Sequence, residues 1–415
     1  MRGIAMTMIA IDKKSEATFA FAAFLAFLSM LGPFSIDAYL PAFPTLAADF
    51  GVSPAYVQQT LTAYFAAFAL MNLFHGTISD ALGRRRPMLI ALSVYTVASL
   101  GCMFAESINA LLFFRAIQGL SAGAGVIAFY TITRDCFEGA AVQKVMAYGT
   151  VTYNIAPVLA PVLGGLLLTA FGWRSVFGLL AALGLTMLTM VLWRLPETLP
   201  DHLRQSAKPK AIVANFRRVL GHRDTYLLTG TVAFSFTAGF LYILASSAFL
   251  TRHLGLGNTE FAWLFLPLVS GYVLGALLSG WLAPLLTRSE TTWWGFRLMS
   301  ISVGVNVLLS YAKGPSLPWS IVPLFFYAIG QGLAGPALKS LLSDLFPSIA
   351  GTAAALRGSM QWLLLAFVAG VVVPKASASV VDLALAMMCL FLLGGACWFL
   401  FSIRASAPVL DIQRT

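Results

Sequence analysis

Charge is what this sequence has least of. Only 10% of its 415 residues are Asp, Glu, Lys or Arg, against about 25% in a soluble globular domain. With 59% hydrophobic residues and a mean hydropathy of +0.85, the chain is too apolar to cover a water-facing surface. Cysteine is scarce too, present only at Cys102, Cys136, Cys389 and Cys397. Three of these fall in apolar runs and none has metal-ligand spacing, so neither a disulfide framework nor a metal site is implied. A G-x-x-x-x-G-K phosphate loop is missing, which argues against nucleotide-driven work by this chain alone. No H-E-x-x-H or Gly-Ser-His arrangement suggests a membrane hydrolase. The sequence implies no enzyme and no cofactor.

What it does have is long apolar runs. A bilayer-spanning helix needs about 20 such residues. Twelve runs of this order occur: 19–43, 55–75, 87–106, 109–132, 145–170, 173–193, 226–250, 260–284, 293–312, 319–342, 351–373 and 380–403. The first is too long to be a simple signal-peptide core and reads as a retained helix. The longest polar stretch, 194–224, divides the runs six and six. The expectation is an all-α polytopic membrane protein with an N-terminal six-helix bundle over 1–193, a cytoplasmic linker over 194–224 and a C-terminal six-helix bundle over 225–415.

Basic residues fix the expected orientation. With the N-terminus in the cytoplasm, twenty-one of the 26 Lys and Arg residues fall inside. They include Arg84, Arg85 and Arg86 and, in the linker, Arg194, Arg204, Lys208, Lys210, Arg217, Arg218 and Arg223. Arg174, Arg252, Lys313 and Lys375 fall outside, and Arg115 lies within a span. Both termini are then cytoplasmic. The formal charge of +10 reads as topology and contact with anionic lipid. Nucleic acid is a poor partner for basic residues placed in short loops between spans.

Charge inside a span is expensive and by default marks a pathway. Asp37 stands in the first run, within "IDAYLPAFP". It is either an interfacial acid near the outer end or a group that takes up and releases a proton. Arg115 and Gln118, three apart in the fourth run, share a helix face. A guanidinium keeps its charge and costs about 2.5–3.5 kcal/mol at a helix centre. Arg115 therefore either snorkels to an interface or faces the interior with Gln118, where it offers Asp37 a counter-charge.

The fifth run holds "IAPVLAPVLGG", with Pro157, Ala160, Pro161, Gly164 and Gly165. Proline removes backbone hydrogen bonds and kinks a helix, and small residues let neighbours close in. Generic packing and a coupling role both fit. Between the second and third runs, "GTISDALGRRRP" supplies Gly76 and Gly83 for close packing and a tight turn. In the same loop Asp80 can cap the next helix or pair with Arg84 or Arg85.

The halves echo one another. "GTISDALGRRR" from Gly76 corresponds to "GWLAPLLTRSE" from Gly280, and "IQGLSAG" to "GQGLAGP", aligning Gln118 with Gln331. Parallel repeats of this kind place a substrate site between the halves near the midplane. Candidate cavity residues are Gln118, Tyr64, Phe68, Tyr153, Asn154, Phe236, Tyr242, Gln331, Gln361 and Trp362. Such an aromatic, weakly polar wall suits hydrophobic and cationic compounds.

On "IDAYLPAFP", "GTISDALGRRRP", "RAIQGLSAGAG", "APVLAPVLGG" and the weaker "LPET", the chain resembles the major facilitator superfamily. More narrowly it resembles the twelve-helix drug/proton antiporters of the Bcr/CflA type. The resemblance covers nearly the whole chain. It implies proton-coupled efflux of small, largely hydrophobic compounds across the bacterial inner membrane by a monomer working through alternating access. Asp37 and Arg115 are the implied proton-coupling residues. Gly76, Asp80, Gly83, Arg84 and Arg85 form the implied gating loop, and the proline–glycine stretch matches the antiporter motif, with Ala156 and Ala160 where glycine is usual. Export of an endogenous metabolite such as a siderophore is the alternative on the same fold.

Overall fold

The first apolar run does not form one helix. The computed structural model describes residues 15–204 and 209–406. In it the run is split into α1 (Ser15–Ser29), α2 (Leu31–Asp37), a 3-10 turn at Leu40–Ala42, and α3 (Phe43–Asp49). Pro41 and Pro44 sit at the starts of the last two pieces, where a missing N–H costs nothing. The apolar segment thus reaches Asp49, beyond the predicted end at 43.

The remaining elements follow in order. They are α4 (Pro54–Leu82), α5 (Arg85–Met103), α6 (Ile108–Ala122), α7 (Ala124–Cys136), α8 (Gly139–Phe171) and α9 (Trp173–Arg194). After the linker come α10 (Pro209–Leu220), α11 (Arg223–Leu244), α12 (Ala262–Leu282), α13 (Arg288–Lys313) and α14 (Val322–Leu345). The last described elements are α15 (Ala350–Phe367), α16 (Val373–Ala376) and α17 (Val380–Ser406). No strand occurs among the described residues. Lys208, one of the linker's basic residues, lies outside them.

Among the described residues, eleven segments are long and apolar enough to cross a membrane, and each matches a predicted run. The remaining run, 319–342, forms α14, 24 residues long. At about 1.5 Å per residue α14 has the length to cross, but Gln331, Lys339 and Asp344 dilute its apolarity. Large apolar side chains line the outside: Trp193 is 83% and Phe171 75% exposed. An exterior of this kind suits lipid rather than water.

Local chemistry explains the interruptions. The fourth run breaks at Gly123, between α6 and α7. The seventh and eleventh end in π-helical turns at Ser247–His253 and Val368–Val372. Pro157 and Pro161 both lie inside α8, which is one helix of 33 residues.

The chain forms two compact units. The first comprises the residues up to Ala211 with Gly255–Phe265, and the second comprises Ile212–Leu254 with the residues from Leu266 onward. In the first, α4 packs on α6, α5 on α6 and α9, and α8 on α1 and α2; in the second, α13 packs on α14 and α11 on α17.

Candidate functional site

The deepest charge in the first unit is Arg115, 0% exposed. α6 carries Arg115 and Gln118 on one face, as their spacing predicts. Nη1 of Arg115 donates to the Ser35 carbonyl at 3.1 Å, to Ser35 Oγ at 3.4 Å and to Gln118 Oε1. Gln118 in turn donates to Ser99 Oγ at 2.7 Å. The guanidinium carbon lies 4.2 Å from the centre of the Tyr39 ring and 4.4 Å from that of Tyr64. The cation therefore lies over two tyrosine rings, an attraction worth about 2 kcal/mol or more when desolvated. Tyr39 is held by a 2.9 Å hydrogen bond to Thr60. Arg115 does not snorkel to an interface.

Asp37, the last residue of α2, is only 2% exposed, and its Oδ1 has no hydrogen-bond partner. Arg115 is not its counter-charge in this conformation, because no ion pair within 4.0 Å joins them. Helical spacing gives the reason. Ser35 and Tyr39, four residues apart, both reach Arg115, whereas Asp37, two residues from each, projects from the other side of the turn.

That other side is served by α8. A Cβ on Gly164 would collide with the carbonyl of Ala38, the residue after Asp37, so only glycine lets α8 come this close. Gly165 beside it faces the backbone carbonyl of Asn258, in the segment that clusters with this unit. Pro157 and Gly164 thus belong to a helix that touches the first span at its acid. Replacing Gly164 by Val should cost at least about 1–3 kcal/mol by overpacking. The expected result is a lower melting temperature and less monodisperse protein on size exclusion; an unchanged melting temperature would show that the contact is not tight.

A second cluster forms where α4 meets α5. Gly83 adopts a positive φ of 88°, and a Cβ there would strike the Glu197 carboxylate. Arg84, 7% exposed, donates from Nη1 to Asp80 at 2.5 Å and to Ser79 at 3.2 Å, and from Nε to Asp135 at 2.8 Å. Burial alone would favour its neutral form, but hydrogen bonds and charges from Asp135 and Asp80 outweigh that and hold Arg84 above its ordinary pKa. Of the two roles expected for Asp80, the structure has the pairing with Arg84. Capping of α5 belongs instead to Glu197, which accepts from the backbone N–H of Arg84 at 2.7 Å and of Arg85 at 3.3 Å. Arg85 donates to the Leu192 carbonyl at 2.8 Å. Gly76 was expected to allow close packing, but nothing lies within 4 Å of where its Cβ would be.

The cavity candidates separate. Tyr64 and Phe68 are buried with their ring centres 6.2 Å apart, adjoining Arg115 and Gln118. Tyr153 and Asn154 are half-buried on α8, and Asn154 donates to the Thr150 carbonyl at 2.7 Å. In the second unit Phe236 stacks on Phe240, and Gln361 accepts from Arg357 at 3.3 Å. Trp362 is half-buried there, as is Gln331, the repeat counterpart of the wholly buried Gln118. Tyr242 is buried and accepts from Asn306 at 2.9 Å.

Sequence reasoning missed Ser35, Tyr39, Ser99, Asp135, Glu197 and Asn306. Tyr39 stood in the quoted first-span stretch and Ser35 immediately before it, and their i, i+4 spacing was the available signal. Glu197 stood in "LPET", but nothing local tied it to Gly83.

Residues 20–370 match the family model of the Major Facilitator Superfamily. The MFS-type transporter YdgK of Bacillus subtilis is 30% identical over 347 residues, 83% of this chain and 86% of its own. The bicyclomycin resistance protein homolog of Haemophilus influenzae is 27% identical (84% and 87% covered), and multidrug resistance protein D of Escherichia coli 28% (81% and 84%). Among solved structures, a D-xylose-proton symporter superposes with a TM-score of 0.75 at 16% identity, covering 94% of this chain and 97% of its own. A bacterial homolog of the human lysosomal transporter Spinster gives 0.72 at 17%, with the same coverage.

Proposed function

The chain belongs to the Major Facilitator Superfamily, and we propose that it exports small, largely hydrophobic compounds in exchange for protons. The relatives named for bicyclomycin and multidrug resistance support the cargo class. The observation that carries the coupling is Asp37: a carboxylate 2% exposed, unpaired, and packed beside a helix that only glycine lets approach. A buried acid without a partner is costly when ionised, so it holds a proton until the pathway opens it to water. In this reading Asp37 takes its proton from the outside, and cargo competes for the same conformations. Each proton moving inward supplies about 2.3 kcal/mol per 100 mV.

Other parts take roles in the same cycle. Arg115 and Gln118 hold the fourth span against the first through Ser35 and Tyr39. The Asp80–Arg84–Asp135–Glu197 cluster fastens the cytoplasmic ends of four spans and acts as the gate on that side. The aromatic residues of the second unit, with Tyr242 and Asn306, offer cargo an apolar surface with one polar point. The residues 194–224 join two six-helix bundles, both termini are cytoplasmic, and one chain suffices for transport in the inner membrane.

Vesicles reconstituted with the native chain test the reading. With an imposed pH gradient and a panel of dyes and antibiotics, at least one compound should move against its gradient. Collapse of the pH gradient should stop that movement. Transport that persists unchanged without the gradient would overturn proton coupling while leaving a transporter.

A further inference from the structure

Arg115 is incompletely satisfied, and the missing part has a definite shape. Its Nη1 group is engaged by Ser35 and Gln118, and the guanidinium lies over the rings of Tyr39 and Tyr64. Nε and Nη2, the two N–H groups along the other edge, are buried without any hydrogen-bond partner. The hydroxyls of Tyr64 and Tyr95 are likewise buried and unpartnered. The Tyr64 ring centre lies 4.4 Å from the guanidinium carbon, and both hydroxyls lie beside Ser35, which also accepts from Arg115. Two N–H groups of one fixed positive charge thus lie buried near two further hydroxyl donors, and among the described residues no carboxylate lies within 4.0 Å of that charge.

The chemistry of the gap selects its occupant. Guanidinium N–H groups only donate, and adjacent Nε and Nη2 present the parallel pair that recognises a carboxylate or a single small anion. In a lipid environment unmet donors must be answered inside the protein, and a guanidinium does not escape by losing its proton. A water would answer one donor or two but leaves the charge uncompensated. The geometry points to an intramembrane anion site on the Nε–Nη2 edge of Arg115, completed by Tyr64 and Tyr95, that takes a halide or the carboxylate of a small organic molecule. The site does not depend on proton-coupled export, since binding alone occupies it.

Its test is a binding measurement on the full chain in detergent, with chloride or acetate exchanged at constant ionic strength for a bulky sulfonate that is neither a halide nor a carboxylate. The melting temperature should rise saturably with chloride, with acetate, or with both. Saturation by chloride identifies a free inorganic anion as a source; saturation by acetate alone identifies an organic carboxylate. Tyr95→Phe retains the charge but removes one donor, and should weaken the apparent affinity by about tenfold. Arg115→Gln should abolish the effect, and Tyr95→Phe keeps the site testable should that variant not fold. An anion effect that survives unchanged in a folded Arg115→Gln variant overturns the proposal. So does an anion effect absent from the native chain but present in Asp37→Asn, because Asp37 itself would then fill the edge. Silence in native, Tyr95→Phe and Asp37→Asn proteins alike would assign the gap to water and overturn it as well.

Discussion

Asp37→Asn is expected to abolish uphill efflux, lowering proton-driven accumulation in vesicles by at least about a hundredfold. The substitution preserves the shape of a carboxylic acid but removes the site at which a proton can be gained and lost. Because Oδ1 has no partner within the protein, the amide breaks no native hydrogen bond there, and the folded state should be unharmed. Expression and melting temperature should therefore match the native chain. Downhill exchange of labelled cargo should survive, which separates loss of coupling from loss of cargo binding. Undiminished uphill efflux by a well-folded Asp37→Asn variant would falsify the assignment. The consequence would be particular: the membership in the superfamily would stand, and the proton would have to ride elsewhere.

Arg84→Ala should have the largest effect on stability. Arg84 is nearly buried and carries three side-chain hydrogen bonds, two of them to acids. Without it Asp80 and Asp135 face each other across the site with no cation between them. Losing one partner of a buried charge pair costs about 3–5 kcal/mol. The Asp80 side chain is 38% exposed, so screening brings the expected loss down to about 2–3 kcal/mol. Arg84→Lys should fall between native and Ala: it retains charge, but one ammonium cannot reproduce the Nε and Nη1 contacts to two separate carboxylates. Thermal melting of the three proteins in detergent gives the ranking. Equal melting temperatures for native and Ala forms would show that the cluster contributes nothing to the fold.

Several parts of this architecture were readable directly from the residues. Apolar run length located the helices because a membrane admits few other spanning structures. The spacing of Arg115 and Gln118 placed them on one face, where the structure joins them. Gly83 needed its glycine, as a turn between charged helix ends suggests. Other features depended on folding at a distance. Asp135 and Glu197 lie 51 and 113 residues from Arg84 in sequence, and no local pattern announces such a meeting. Pairing Asp37 with Arg115 followed from charge alone; helix phase put Ser35 and Tyr39 there instead. The breaks at Ala38–Tyr39 and Gly123 were hidden because an apolar run looks the same whether its helix is continuous or cut.

The contact between Glu197 and the start of α5 also sets an order of events during synthesis. The N–H groups of Arg84 and Arg85 are made early, but their acceptor leaves the ribosome only after the sixth span has been built. Until then the second, third and fourth spans reside in the bilayer with Arg84 held by Asp80 and Asp135 but with the first N–H groups of α5 uncapped. That helix is thus capped late, by a residue just past the sixth span. A chain cut after Arg194 would keep its six spans and the Asp80–Arg84–Asp135 contacts but would leave the start of α5 uncapped.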